Sequence, residues 1–154
     1  MKKLLIIFFL SLFSCHIKSM NNPLQELMHV IDNENISIIK SLLIYDKKLI
    51  NKKHGLFTPL TRAITLKGPL AENKRKMLTT LFNAGADPNA HFQFAPILFF
   101  FLYRNDGYER AKLLLKHGAN PFLTNKEGQN AFEYAKKASR EIQDLLKHYA
   151  TRTD

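Results

Sequence analysis

Asn83-Ala84-Gly85-Ala86-Asp87-Pro88-Asn89 has an echo in Lys116-His117-Gly118-Ala119-Asn120-Pro121, and Gly85 and Gly118 lie 33 positions apart. Each copy follows a leucine-rich segment, Met77-Leu78-Thr79-Thr80-Leu81-Phe82 in one and Ala111-Lys112-Leu113-Leu114-Leu115 in the other. Both read as helices that stop. Glycine accepts the left-handed conformation after the last turn, and proline just beyond it prevents the helix from resuming. The same stop signal met twice at a fixed spacing predicts a repeat architecture, in which each unit covers the apolar flank of the next.

Working outward from those stops, Gly55-Leu56-Phe57-Thr58-Pro59-Leu60-Thr61-Arg62-Ala63 carries the start signal. Thr58 suits the N-cap and Pro59 the first helical position, where a missing N–H costs nothing. Leu60 and Ala63 then face a neighbour. Upstream, Leu24, Leu27, Met28 and Ile31 fall at i, i+3, i+4 and i+7, one apolar stripe of a helix. Asp32-Asn33-Glu34-Asn35 interrupts it, and Ile36, Ile39, Leu42 and Leu43 form a second stripe. Two short antiparallel helices thus make one unit. Asp46-Lys47-Lys48-Leu49-Ile50-Asn51 occupies the place of the stop signal and is degenerate, as a terminal unit often is.

Downstream, Ala95-Pro96-Ile97 opens a third unit whose preceding loop is clipped and lacks its glycine. Leu98-Phe99-Phe100-Phe101-Leu102-Tyr103 is apolar on every side. Ile97, Phe100 and Phe101 are expected in the core, and Phe99, Leu102 and Tyr103 are candidates for an apolar spot on the concave side. Asn105-Asp106-Gly107 turns the chain into a helix over 108–116 with Ala111, Leu114 and Leu115 inward. The fourth unit runs from Asn125-Lys126-Glu127-Gly128-Gln129-Asn130-Ala131 into Ile142, Leu145 and Leu146, flanked by Lys136, Lys137, Arg140, Glu141, Asp144 and Lys147. One apolar and one densely charged face suit a capping unit.

The period, Thr-Pro-Leu-x-x-Ala at Thr58 to Ala63 and Gly-Ala-Asp-Pro-Asn at Gly85 to Asn89 together resemble the ankyrin repeat. Three departures stand out. Thr61 replaces the family's histidine, Ala95-Pro96-Ile97 replaces Thr-Pro-Leu, and the linker from Leu66 to Lys74 is longer than the usual turn, either a tolerated surface loop or a specialised contact. The resemblance implies an all-α ankyrin-repeat solenoid of about four helix-turn-helix repeats, over 22–50, 51–88, 89–121 and 122–150. It implies a monomer that binds a protein partner through hairpin fingers and the concave faces of the first helices. The positions that carry this are His54 and Leu56; His91, Phe92 and Gln93; Tyr103 and Arg104; and Lys126, Glu127 and Lys137.

Residues 1–20 stand apart. Lys2 and Lys3 precede a ten-residue apolar run from Leu4 to Phe13 broken only by Ser11, the layout of a secretory signal segment. Ten helical residues reach about 15 Å, roughly half the hydrocarbon thickness, which disfavours a transmembrane anchor. Leu12-Phe13-Ser14-Cys15 is similar to the bacterial lipobox, with Phe13 as its departure and Cys15 as the lipidation candidate. Cleavage after Ser19 competes with it. The expectation is an exported chain, either lipid-anchored at the cell envelope or secreted.

Chemistry is sparse. Cys15 is the one cysteine, so no intramolecular disulfide and no zinc site with paired cysteines can form. The six histidines make no His-x-x-x-His pair, and no phosphate-cradling or nucleophile motif occurs. No catalytic residue, cofactor or metal is expected. His117, at a helix end, suits the dipole. The net charge of +10 favours acidic partners. Lys47-Lys48 with Lys52-Lys53, Lys74-Arg75-Lys76, and Lys136-Lys137 with Arg140 are either solvated surface or one basic stripe. The first function expected, as the resemblance implies, is protein binding. The alternatives are a basic surface for anionic membrane or, more weakly, nucleic acid, and a structural envelope protein without a specific partner.

Overall fold

Thr58 begins its helix as its chemistry demands. Its Oγ1 accepts the Thr61 N–H at 3.2 Å, while Thr61 Oγ1 accepts the Thr58 N–H at 2.8 Å. The computed structural model describes residues 22–151, and four other helices start with a side-chain N-cap, the one at Asn130 with the reciprocal bond as well. Asn22, Asn35, Asn130 and Ser139 accept the N–H groups of Gln25, Ile38, Glu133 and Ile142. Each such cap contributes about 1 kcal/mol.

The described chain is mostly helical. In order it forms α1 (Pro23–Asp32), α2 (Ile36–Tyr45), a 3-10 turn (Lys47–Asn51), α3 (Pro59–Thr65) and α4 (Glu72–Asn83). A short ribbon follows, β1 (His91–Phe92) and β2 (Ala95–Pro96), then a 3-10 helix (Ile97–Phe101) and α5 (Gly107–Lys116). α6 (Ala131–Tyr134), a 3-10 turn (Ala135–Lys137) and α7 (Arg140–Ala150) complete it. The ribbon is antiparallel and pairs His91 with Pro96 and Phe92 with Ala95. This small sheet is the one departure from an all-helical reading.

Consecutive helices pack in pairs, α1 on α2, α3 on α4, and the 3-10 helix on α5. α1 also lies against α3, α2 against α4, and α5 against α7. The stripes read from the sequence face these contacts. Leu27, Ile31, Ile39, Leu42, Leu60, Ala63, Ala111 and Leu114 are fully buried, and they join Met77, Leu78, Leu81, Leu145 and Leu146 in one continuous core. Leu24 and Ile36 are half-buried at its edge.

The aromatic run differs from expectation. Leu98, Phe99 and Leu102 are buried along with Ile97 and Phe101, Phe100 is half-buried, and Tyr103 is 50% exposed. The cause is crowding. β1, β2, α5 and α6 all pack on this 3-10 helix, so Phe99 and Leu102 are covered rather than presented.

The long linker after α3 is a built contact. Arg110 on α5 is 2% exposed. Its Nε donates to Ile64 O at 3.0 Å, and its Nη2 to Leu66 O at 3.3 Å and Gly68 O at 2.6 Å. Its Nη1 reaches the Asp106 carbonyl at 3.0 Å and carboxylate at 2.8 Å. A buried guanidinium is tolerated when its donors are satisfied in this way. Lys74, also buried, donates to Lys67 O at 2.9 Å. Two cations therefore satisfy the carbonyls of a loop without regular structure.

Candidate functional site

Three tight turns project between the helix pairs. In the first, His54 and Phe57 form an isolated antiparallel bridge. In the third, Asn125 N–H donates to Gln129 O at 2.9 Å around Gly128, whose φ is +75°. The middle turn joins β1 to β2, and there Gln93 takes φ +57°. Gln93 thus holds the left-handed place of the missing glycine, at a steric cost that glycine avoids.

Behind the turns runs a ladder of rings. Phe92 lies 5.2 Å from Phe57 and 5.1 Å, edge-on, from Phe100. Arginines cap both ends, Arg62 over Phe57 and Arg104 over Phe100, each at 5.2 Å. Both arginines are already paired. Asp32 accepts from Arg62 Nε at 2.6 Å and Nη2 at 2.7 Å, and Asp106 accepts from Arg104 Nε at 2.9 Å. Arg104 and Arg110 hold the Asp106 carboxyl below its ordinary value of 3.8, with the Arg104 hydrogen bond as the largest cause. Such half-exposed pairs orient side chains more than they stabilise, contributing about 1 kcal/mol at most.

The turns end in exposed apolar tips. Leu56 is 62% exposed and Phe94 is 64% exposed. Lys126, from the third turn, places its Nζ 3.6 Å over the Phe94 ring, a cation–π contact that ties neighbouring tips together. Further along, Tyr103 donates from its hydroxyl to Tyr134 O at 2.6 Å and meets the Tyr134 ring edge-on at 5.4 Å.

Among the residues singled out from the sequence, His54, Leu56, His91, Gln93, Tyr103, Arg104, Lys126, Glu127 and Lys137 are exposed. Phe92 is half-buried in the ladder, so it supports the turns rather than forming a free anchor. Tyr103, Arg104 and Lys137 converge on one recess of about 400 Å3, beside Ser139 and Glu141. His54 borders a second recess of about 310 Å3 with His29, Asp32, Phe57 and Arg62. Sequence reasoning missed Phe94 and Tyr134. The sequence carries no signal for Phe94, because the ribbon turn that separates it from Phe92 is made by a left-handed Gln93 and not by a glycine.

The middle basic cluster is tied to carboxylates. Lys74 is buried 3.5 Å from Glu34, Arg75 pairs with Glu109 at 3.0 Å, and Lys76 pairs with Glu72 at 3.4 Å. His117 also departs from the dipole reading. It stacks on Phe82 at 4.0 Å with the rings 6° from parallel, and burial, then Lys116, hold its pKa below the ordinary 6.5. Desolvation outweighs the helix end there.

Among the described residues no group of three or more His, Cys, Asp or Glu is placed to hold a metal ion, and no helix is long and apolar enough to cross a membrane. The leader, Cys15 and Ser19 lie outside the described residues. These features define a class, a mostly helical protein that presents apolar tips on short turns above a braced aromatic ladder. No protein-family model matches the chain, and no curated protein matches it.

Proposed function

We propose that the helix pairs are ankyrin-like repeats and that the chain is a non-catalytic protein-binding module working through its turns. Two contacts support the repeat reading. Asn51 and Asn89 stand at equivalent places in successive units, and each bonds the Gly-Ala-Asx turn of the next. The observation that carries the function is the pair of exposed apolar tips, Leu56 and Phe94, held over a ladder of packed rings. A preformed surface loses little conformational entropy on binding, and aromatic side chains make strong anchors. The partner belongs to the same proposal and is an unidentified protein. Export, with Cys15 lipidated or with a cut after Ser19, is a separate part of the reading, and mass spectrometry of the mature N-terminus tests it.

The binding test is site-specific photo-crosslinking in the native cell. A photoreactive residue at Phe94 or Leu56 is expected to give a discrete adduct, and one at the exposed Lys76 of α4 is expected to give none. Adducts at Lys76 as abundant as those at Phe94 would reject the assignment. Phe92→Ala should lower thermal stability, whereas Phe94→Ala should leave it unchanged and weaken the adduct.

A further inference from the structure

Away from the turns, α2 and α4 lie side by side and leave a groove of about 500 Å3 near their C-terminal ends. Leu43, Ile44 and Ala84 give it apolar surface, and Lys40 and Lys47 give it charge. No carboxylate lines it, and among the described residues neither lysine has an ion-pair partner within 4.0 Å. Ile44 is 84% exposed and Tyr45 next to it 42%. Lys40 and Ile44 are four residues apart on α2, so the cation and the exposed isoleucine share one side of the helix.

We infer that this groove is a second docking site, for a short acidic, amphipathic segment of a protein. Its occupant places a large apolar side chain against Leu43, Ile44 and Ala84 and carboxylates beside Lys40 and Lys47. Charge decides the chemistry. Arg62, Arg75, Arg104, Lys74 and Lys76 all have their own carboxylates, whereas the groove lysines have none. Lys40 sits within α2 rather than in its last turn, so the helix dipole gives it no partner either. Shape favours a peptide over a bilayer. A recess between two helices accepts an inserted side chain, in the manner of helix-in-groove recognition, and a flat headgroup surface leaves it unfilled. The site is separate from the turns and does not depend on what binds there.

The test is a random peptide library displayed on phage and selected against the full chain. Clones are kept when they bind the wild type and not the Ile44→Asp variant. The expected consensus is an apolar anchor flanked by Asp or Glu. Binding of the selected peptide should shift the Ile44 methyl resonance of the wild-type protein. It should weaken by about tenfold or more in the Lys40→Glu/Lys47→Glu double variant, and weaken with added salt. All three substituted side chains are exposed, so both variants should melt with the wild type, and the methyl shift stands whether or not they do. Absence of any such clone would overturn the proposal. So would a consensus without acidic residues, full binding by the double variant, or Ile44-dependent binding to phosphatidylserine vesicles without peptide binding.

Discussion

Asn89 accepts the Asn120 N–H on its Oδ1 at 2.7 Å, and Asn51 accepts the Asp87 N–H at 2.9 Å in the same way. The Asn51 amide also donates to Gly85 O at 2.9 Å. One side chain thus satisfies a donor and an acceptor of the turn that follows α4, outside the helix's own hydrogen bonds. Asn51→Ala and Asn89→Ala should each cost about 1 kcal/mol, seen as a lower thermal midpoint. The effects should add, since the two clamps share no partner. Phe122 follows Gly118 by four residues, as Asn89 follows Gly85, and its ring packs on Phe132 at 5.4 Å. α7 ends at Ala150, and Thr151-Arg152-Thr153 follows it in place of a Gly-Ala-Asx sequence, so Phe122→Asn should gain no stability.

Gly107 is the most tightly enclosed of the described glycines. A Cβ there would lie 1.9 Å from Phe101 O and 2.9 Å from Phe101 C. Backbone cannot step aside as a side-chain tip can, so Gly107→Ala should destabilise by about 3 kcal/mol or more. Chemical denaturation reads this directly. Unchanged stability would mean that α5 and the 3-10 helix are further apart than described.

Gln93 offers the opposite case. Its φ of +57° is unfavourable for a residue with a side chain, and the side chain itself is exposed. Gln93→Gly should therefore stabilise the protein by about 1 kcal/mol, the left-handed penalty less the added chain entropy. A differential melting measurement that shows a loss instead would assign Gln93 a contact of its own.

Acid should weaken the fold in two separable stages. Burial lowers His117 below 6.5, so between its folded pKa and 6.5 the unfolded chain binds a proton that the folded chain does not. Stability from this group is then intact above about 6.5, falls as the pH drops through that window, and is level below it. Asp106 is lowered from 3.8. Its contribution is present above 3.8 and is lost as the pH falls through the folded value. His117→Phe keeps a ring on Phe82 and removes the proton, so it should flatten the first stage alone in a stability-against-pH series.

Much of the helical pattern was legible because it is local. Thr58 and Pro59 announce a helix start within two residues, and the stripe from Leu24 to Ile31 shows its buried face by spacing alone. The site was legible only to the level of the turns. Which of Phe92 and Phe94 is exposed depends on Phe57 and Phe100, and on a left-handed Gln93 that no glycine advertises. Arg110 was illegible for a similar reason. A lone arginine in a helix reads as surface, and its burial is decided by the Ile64, Leu66 and Gly68 carbonyls, more than forty residues earlier. The pairing of Lys74 and Arg75 was illegible because their partners Glu34 and Glu109 are remote in sequence.

Amide hydrogen exchange at Asp87 and Asn120, followed by NMR, tests the proposed registration of repeats most directly. Both N–H groups should be protected in the wild type. Asn51→Ala should release Asp87 alone, and Asn89→Ala should release Asn120 alone. Rapid exchange at both positions in the wild type, or loss of protection at both from either substitution, would contradict a row of units clamped one to the next.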